Sequence, residues 1–348
     1  MPENTEIISE ENKEKMKFDL SRESLKEMFS EKNVSHFKKR VLFKVTKFVW
    51  AVFRTLLLVG LGFIILYPML TMLSYAFNGD YMGNSTFVWI PSKFTMNNMG
   101  LAWEFLKYPQ SVKNTLFIAI GSSILQIMSC ALAGYGFARF NFKGKNILFL
   151  IVILTIIVPP QTYIISTYLD YKFFDFFGIG SLIGLFTGKP LTVALTDTYW
   201  SFWIPSMFGQ GLRGGLYIFI FKQFFAGMPK ELENAAKIDG CNAITTFVKI
   251  MLPNAGAAAL TVFLFSFVWH WNDYYVSNMM FQIKNQPLSV VIFQKSDFMR
   301  QMTGYTGEVN YQYILNASVL LSTLPLLILY SFAQKYFIES VAKVGVKG

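Results

Sequence analysis

Two cysteines and two histidines leave this chain of 348 residues little metal or redox chemistry. Cys130 lies in an apolar run and Cys241 in a charged segment, so no disulfide framework is implied. No metal site of the usual kind can be built from His36 and His270. Charge is also scarce: Asp, Glu, Lys and Arg make up 15% of the chain, against about 25% in a soluble domain. Residues 1–33 are polar and rich in Lys and Glu, with no apolar core of a secretory signal. No nucleotide loop is present. The stretch from Gly184 to Pro190 hints at one, but a phosphate loop needs four residues between its glycines and a Ser or Thr after the Lys. ATP is therefore not expected to bind this chain, and no cofactor of its own is implied. No His-rich, Cys-rich or nucleophile motif supports a membrane-embedded enzyme.

What the chain has in quantity is apolar surface. Hydrophobic residues make up 53% of it, aromatics 17%, and Phe alone contributes 36. This composition predicts an all-α polytopic membrane protein, its length counted in spans of about 20 residues. The net charge of +10 does not point to nucleic acid, because the Lys and Arg residues flank apolar runs, as the positive-inside rule expects.

In chain order, residues 1–49 read as a cytoplasmic charged tail and basic juxtamembrane segment, and 50–348 as the transmembrane domain. Ser24 and Glu27 suit a capping box before Met28 and Phe29. Lys38, Lys39, Arg40, Lys44, Lys47 and Arg54 should hold the N-terminus inside. Six spans follow, near 55–77, 112–137, 146–168, 199–226, 256–277 and 312–334, with both termini inside. Pro68 and Pro325 fall within the first and last. Pro159, Pro160 and Gln161 should kink the third toward the protein interior, where neighbours can satisfy the backbone. Residues 169–198 should connect outside. The fourth span is interrupted by Pro205, Gly209, Gly211, Gly214 and Gly215, which permits close approach or a break.

Between the fourth and fifth spans lies a charged island, Pro229 to Pro253. Pro229 suits a first helical turn, and Glu231 and Glu233 then sit near the positive end of the dipole. Leu232, Ala235 and Ala236 recur at helical spacing, and Gly240 can stop the helix in a left-handed conformation. Ala243, Phe247, Ile250 and Met251 mark a second short helix, ended by Pro253. Periodicity alone leaves an interfacial amphipathic helix as an equal alternative.

The island resembles the coupling loop of permease subunits in binding-protein-dependent ABC importers. That loop runs Glu-Ala-Ala, two residues, Asp-Gly, then Ile-x-Leu-Pro. Ala235, Ala236, Asp239, Gly240, Ile250, Leu252 and Pro253 match it, while Asn234 stands where the family has Glu. Two further stretches agree. Tyr135-Gly-Phe-Ala-Arg139, followed by Gly144 and Lys145, is similar to the end of the family's second span. The tail from Gln334 to Gly348 resembles the family's terminus. Together with Trp271-Asn272-Asp273, it is similar to the carbohydrate-uptake, maltose-transporter branch.

The resemblance implies a six-helix permease in the bacterial cytoplasmic membrane. It also implies a second permease, two ATPase subunits that bind ATP and Mg, and an external sugar-binding protein. Glu231, Glu233, Asn234, Ala235, Ala236, Asp239, Gly240, Leu252 and Pro253 would then form the coupling element against an ATPase. Candidates for the translocation path are Pro160, Gln161, Trp271, Asn272 and Asp273. An ionisable group near lipid is a functional candidate by default, yet Trp and Tyr also gather as an interfacial belt. His270 reads as a packed or interfacial residue rather than a proton relay. Gln126 and Asn114 suit either glue between helices or a pore. The alternative function is an ion- or proton-coupled secondary transporter, which would need buried carboxylate relays and commonly internal repeats. The spans are poor in acidic residues.

Overall fold

A computed structural model describes residues 31–79, 90–295 and 310–345. The Ser24–Glu27 capping box lies outside the described residues. Residues 1–70 and 71–348 form separate units. The first helix, α1 (Glu31–Ala76), carries Pro68 without ending there. Its part from Leu56 to Leu66 is apolar on every side, which suits a lipid environment.

In the second unit α2 (Asn97–Leu106) leads through Lys107, in left-handed backbone, into the long α3 (Tyr108–Arg139). Then come α4 (Lys145–Ile157), α5 (Ile164–Lys172), α6 (Ile179–Thr187), α7 (Trp200–Met207) and α8 (Gly214–Ala226). The charged island holds α9 (Glu231–Ile238), α10 (Ala243–Thr246) and α11 (Leu252–Asn254). The chain closes with α12 (Gly256–Asn272), α13 (Tyr275–Met280), α14 (288–295) and α15 (Asn310–Gly345). The described residues contain no strand, only isolated bridges from Asn78 to Phe94 and Phe174 to Val193.

At least three helices are long and apolar enough to cross a membrane: Leu42–Ala76, Tyr108–Arg139 and Tyr311–Lys335. The expected first, second and sixth spans fall within them. The stretches expected as the third and fourth are each split into shorter helices. Pro159 and Pro160 lack N–H groups, so α4 stops at Ile157, and a tight turn over Pro160–Thr162 restarts the chain as α5. Contrary to expectation, this kink does not face the interior of the chain. Pro159 and Gln161 are exposed and Pro160 is half-buried. The break between α7 and α8 uses left-handed backbone at Gly209 (φ 71°) and Arg213 (φ 60°).

The connection expected outside, 169–198, contains α6 across the failed phosphate loop. Asp175 anchors it, accepting from the Gly178 N–H at 2.9 Å and the Ser181 hydroxyl at 2.7 Å. Those donors hold the Asp175 carboxyl below its ordinary range.

Helix α3 is the spine. On one side Cys130, Ala131 and Tyr135 pack with Tyr217, Ile218, Phe221 and Phe225 of α8, and with Ala258 and Val262 of α12. Further along, Ala119 shares a cluster with Ala102, Leu106, Phe267, Trp271, Leu288 and Ala317. Small residues allow the close approach. A Cβ on Gly134 would meet the Phe221 Cβ at 2.6 Å and the Lys222 backbone N at 2.9 Å, whereas one on Gly136 would meet nothing within 4 Å. In lipid, helices associate through such packing, because the hydrophobic effect between them is absent. Gly134→Val is expected to cost about 1–3 kcal/mol through overpacking, and Gly136→Val much less. Thermal melting of the purified protein in detergent compares the two, and equal melting of both variants would contradict the close approach.

Candidate functional site

Met228 and Pro229 lead into α9, which begins at Glu231, two residues after the proline. Lys230 supplies the first carbonyl, accepting from the Glu233 and Asn234 N–H groups at 3.1 Å. Glu231 and Glu233 occupy the first turn and Lys237 the last, each matched to the helix dipole. The helix stops in a Schellman motif. Gly240 has φ 78°, its N–H bonds to the Lys237 carbonyl at 3.1 Å, and the Cys241 N–H reaches the Ala236 carbonyl at 2.9 Å. Nothing lies within 4 Å of a Cβ added at Gly240. Glycine is needed there for its backbone freedom, not for space.

Asn242 caps the next helix, its side chain accepting from the Thr245 N–H at 2.8 Å. Pro253 was expected to end this helix, but the chain stays helical through Asn254. A π turn over Phe247–Met251 precedes the proline, which has no N–H to offer. The bend comes at Ala255, where 243–254 meets α12 at 76°.

Two faces separate in α9. Ala236 is buried and Leu232 half-buried, whereas Glu231, Asn234, Ala235 and Asp239 are exposed. The two alanines therefore do not share one outward face. Ile238 is 86% exposed and Ile244 75% exposed, so bare isoleucines flank the Gly240 turn. Leu252 is half-buried and Pro253 exposed.

Glu233 turns inward to Arg139 at the end of α3. The Arg139 Nε stands 3.3 Å from the Glu233 Oε1, with the two side chains 6% and 14% exposed. The same guanidinium donates to the Met228 carbonyl at 2.7 Å. One side chain thus fixes both the entry to α9 and α9 itself. The Tyr135 ring covers this joint, 5.1 Å from Phe247 and 5.5 Å from Phe225. Sequence reasoning singled out both ends of this pair but did not join them.

The expected path residues are scattered. Trp271 is buried, stacks on Phe267 at 5.6 Å, and donates its indole N–H to the Ser322 carbonyl at 3.1 Å. It fastens α12 to α15. Asp273 accepts from the Val276 and Ser277 N–H groups at 3.4 and 2.7 Å, and so holds the start of α13. Asn272 is exposed. Gln126 acts as glue: its amide donates to the Leu212 carbonyl at 3.0 Å and accepts from Ser266 at 2.6 Å. Asn114 does the same, donating to the Gln286 carbonyl at 3.1 Å and accepting from Tyr199 at 2.9 Å. His270 is packed in the core, with Nδ1 2.7 Å from the Ser266 carbonyl.

Residues 127–343 match the family described as binding-protein-dependent transport system inner membrane component. The chain belongs to this family. The match takes in α8, the whole charged island and α12. The family is one of membrane-embedded transport permeases, not an enzyme class, and its description implies a substrate-binding protein and an ATPase as partners.

Among curated relatives, the melibiose/raffinose/stachyose import permease MelC of Bacillus subtilis is 30% identical, over 82% of this chain and 92% of its own. The arabinooligosaccharide permease AraQ of Halalkalibacterium halodurans is 27% identical, over 83% of this chain and 93% of its own. Among solved structures, a bacterial ABC transporter that imports the acidic polysaccharide alginate superposes with a TM-score of 0.65 at 17% identity. That alignment covers 84% of this chain and 98% of the other, and it shows a shared fold.

The Arg139–Glu233 pair makes a testable energetic statement. Arg139→Gln leaves a largely buried carboxylate without its partner, at an expected cost of about 1–3 kcal/mol. Adding Glu233→Gln should recover much of that loss. A double-mutant cycle on melting temperature measures it, and strictly additive effects would mean the two side chains do not interact. For Asp273→Ala, loss of the cap should cost about 1 kcal/mol, with uptake falling in step with the yield of folded protein.

Proposed function

We propose that this chain is one permease subunit of an ATP-driven importer for an oligosaccharide. An external binding protein delivers the sugar, and the chain works beside a second, different permease and two ATPase subunits. ATP and Mg belong to those ATPases, and the chain itself carries no cofactor. It crosses the bacterial cytoplasmic membrane six times with both termini inside, the broken helices supplying the third and fourth crossings. The observation that carries this reading is the family match across the coupling island, joined by relatives named for oligosaccharide import.

The chain's own work is conformational. The exposed edge of Glu231, Asn234, Ala235, Ile238 and Ile244 meets a groove on an ATPase subunit. Differential contact of that edge with the open and closed ATPase dimer drives alternating access. Bare isoleucines suit a partner interface. Glu233 is engaged by Arg139, so it does not stand in for the glutamate absent at Asn234. Glu231 is the exposed carboxylate on this edge. Motion at the ATPase passes through α9 and Arg139 into α3.

Gly240→Val forces a left-handed backbone on a β-branched residue, which costs about 1 kcal/mol or more. It should swing Ile238 and Ile244 off the groove. Ala235→Trp should block docking by overlap, because Ala235 is exposed, whereas Ala236→Trp would disrupt the protein's own packing. Gly240→Val and Ala235→Trp should leave membrane insertion normal and abolish both sugar uptake and binding-protein-stimulated ATP hydrolysis. Crosslinking from a cysteine at position 234 to the ATPase reads the docking directly. Wild-type crosslinking and hydrolysis in both variants would remove the island from coupling. Uptake that needs no ATPase and collapses with an ion gradient would instead favour a secondary transporter.

A further inference from the structure

One charged side chain in the apolar part of the chain has no role in the coupling machinery. Arg213 ends the break between α7 and α8. Helix α8 has 13 residues, about 20 Å at a rise of 1.5 Å per residue. On the topology proposed above, with the island at the cytoplasmic face, this would set Arg213 well inside a hydrocarbon layer about 30 Å thick. Its guanidinium lies 4.3 Å from the ring centre of Trp269 on α12. Trp269 lies 13 residues along α12, a similar distance from the island, and is 44% exposed.

The guanidinium cannot shed its proton, and a charge at this depth is costly, so it persists where it has a task. Among the described residues it has no carboxylate partner. The ion pair found there joins Arg139 to Glu233. The aromatic face offsets only part of the charge. Arg213 is exposed, and its own backbone is left-handed. The chain thus presents the group at its surface instead of folding it into the core. A planar guanidinium beside an indole matches one ligand chemistry well. The carboxylate of a uronic acid can take two hydrogen bonds from the guanidinium, while the indole offers an apolar surface to the sugar ring.

We propose that Arg213 and Trp269 form a contact for the carboxylate of an acidic oligosaccharide, so that the saccharide imported is anionic. This rests on the oligosaccharide-permease reading and narrows its substrate class.

The test uses the intact complex in proteoliposomes with ATP and its cognate binding protein. It is offered an equal mixture of neutral and uronate-containing oligosaccharides, and the saccharide found inside is identified by mass spectrometry. The expected product carries at least one carboxylate. Arg213→Gln should lower its uptake about tenfold or more, the scale of one charge-assisted hydrogen bond, at unchanged complex yield. Arg213→Lys should retain more uptake than Arg213→Gln, and Trp269→Ala should also lower it.

Import of an uncharged saccharide, with ATP hydrolysis still coupled, would overturn the proposal and leave the importer reading intact. Wild-type uptake by Arg213→Gln would overturn it too. A loss of uptake that only follows loss of complex would assign Arg213 to an ion pair with the second permease. ATP hydrolysis that never responds to the loaded binding protein would sink the importer reading, and this contact with it.

Discussion

Everything else in the second unit depends on how closely α3 is packed. This helix touches α8 along one side and α12 along another, and the contact residues are small where the backbones come nearest. Gly134 lets the Phe221 turn of α8 settle against it. Cys130 and Ala131 continue that face, and Ala119 extends packing to the α2, α12 and α15 cluster. In a bilayer the lipid tails are as apolar as the side chains, so burial alone cannot choose a partner helix. Shape complementarity and internal hydrogen bonds must choose it, and α3 supplies both.

The hydrogen bonds follow from the breaks. A helix interrupted in lipid frees backbone groups that water cannot satisfy. The Leu212 carbonyl in the α7–α8 break is met by Gln126 of α3, and Gln126 accepts in turn from Ser266 of α12. Ser266 also accepts from Ser123 at 2.9 Å and stands beside His270. The Ser206 carbonyl is met by the Ser129 hydroxyl at 2.7 Å. These polar side chains hold a broken helix in register against an unbroken one. That also explains why the acidic-poor spans still carry Ser, Asn and Gln at buried positions.

At its far end the same spine reaches the charged island. Arg139 is the last residue of α3, and through Glu233 and the Met228 carbonyl it ties α9 to the bundle. The rigid element that organises the core is therefore also the lever on which the island sits. A shift of α9 cannot occur without moving α3 or breaking a largely buried ion pair. This linkage joins the charged island mechanically to the bundle.

Much of this was legible in the residues, because it is written in consecutive positions. Long apolar runs located α1, α3 and α15. Paired prolines located the break after α4, and glycine gave the turn at 240. Each effect acts over one or two turns and needs no distant partner. Facing was not legible. Ala235 and Ala236 are identical in chemistry, yet one is exposed and the other buried. Trp271 read as a path residue and fastens α12 to α15, while Gln161 read as interior and lies exposed. Arg139 and Glu233 lie on different helices, and nothing local joins them. In a membrane chain the outer and inner surfaces are both apolar, so periodicity marks a helix without saying which side is the core. Only the packing of α3 against its neighbours decided that.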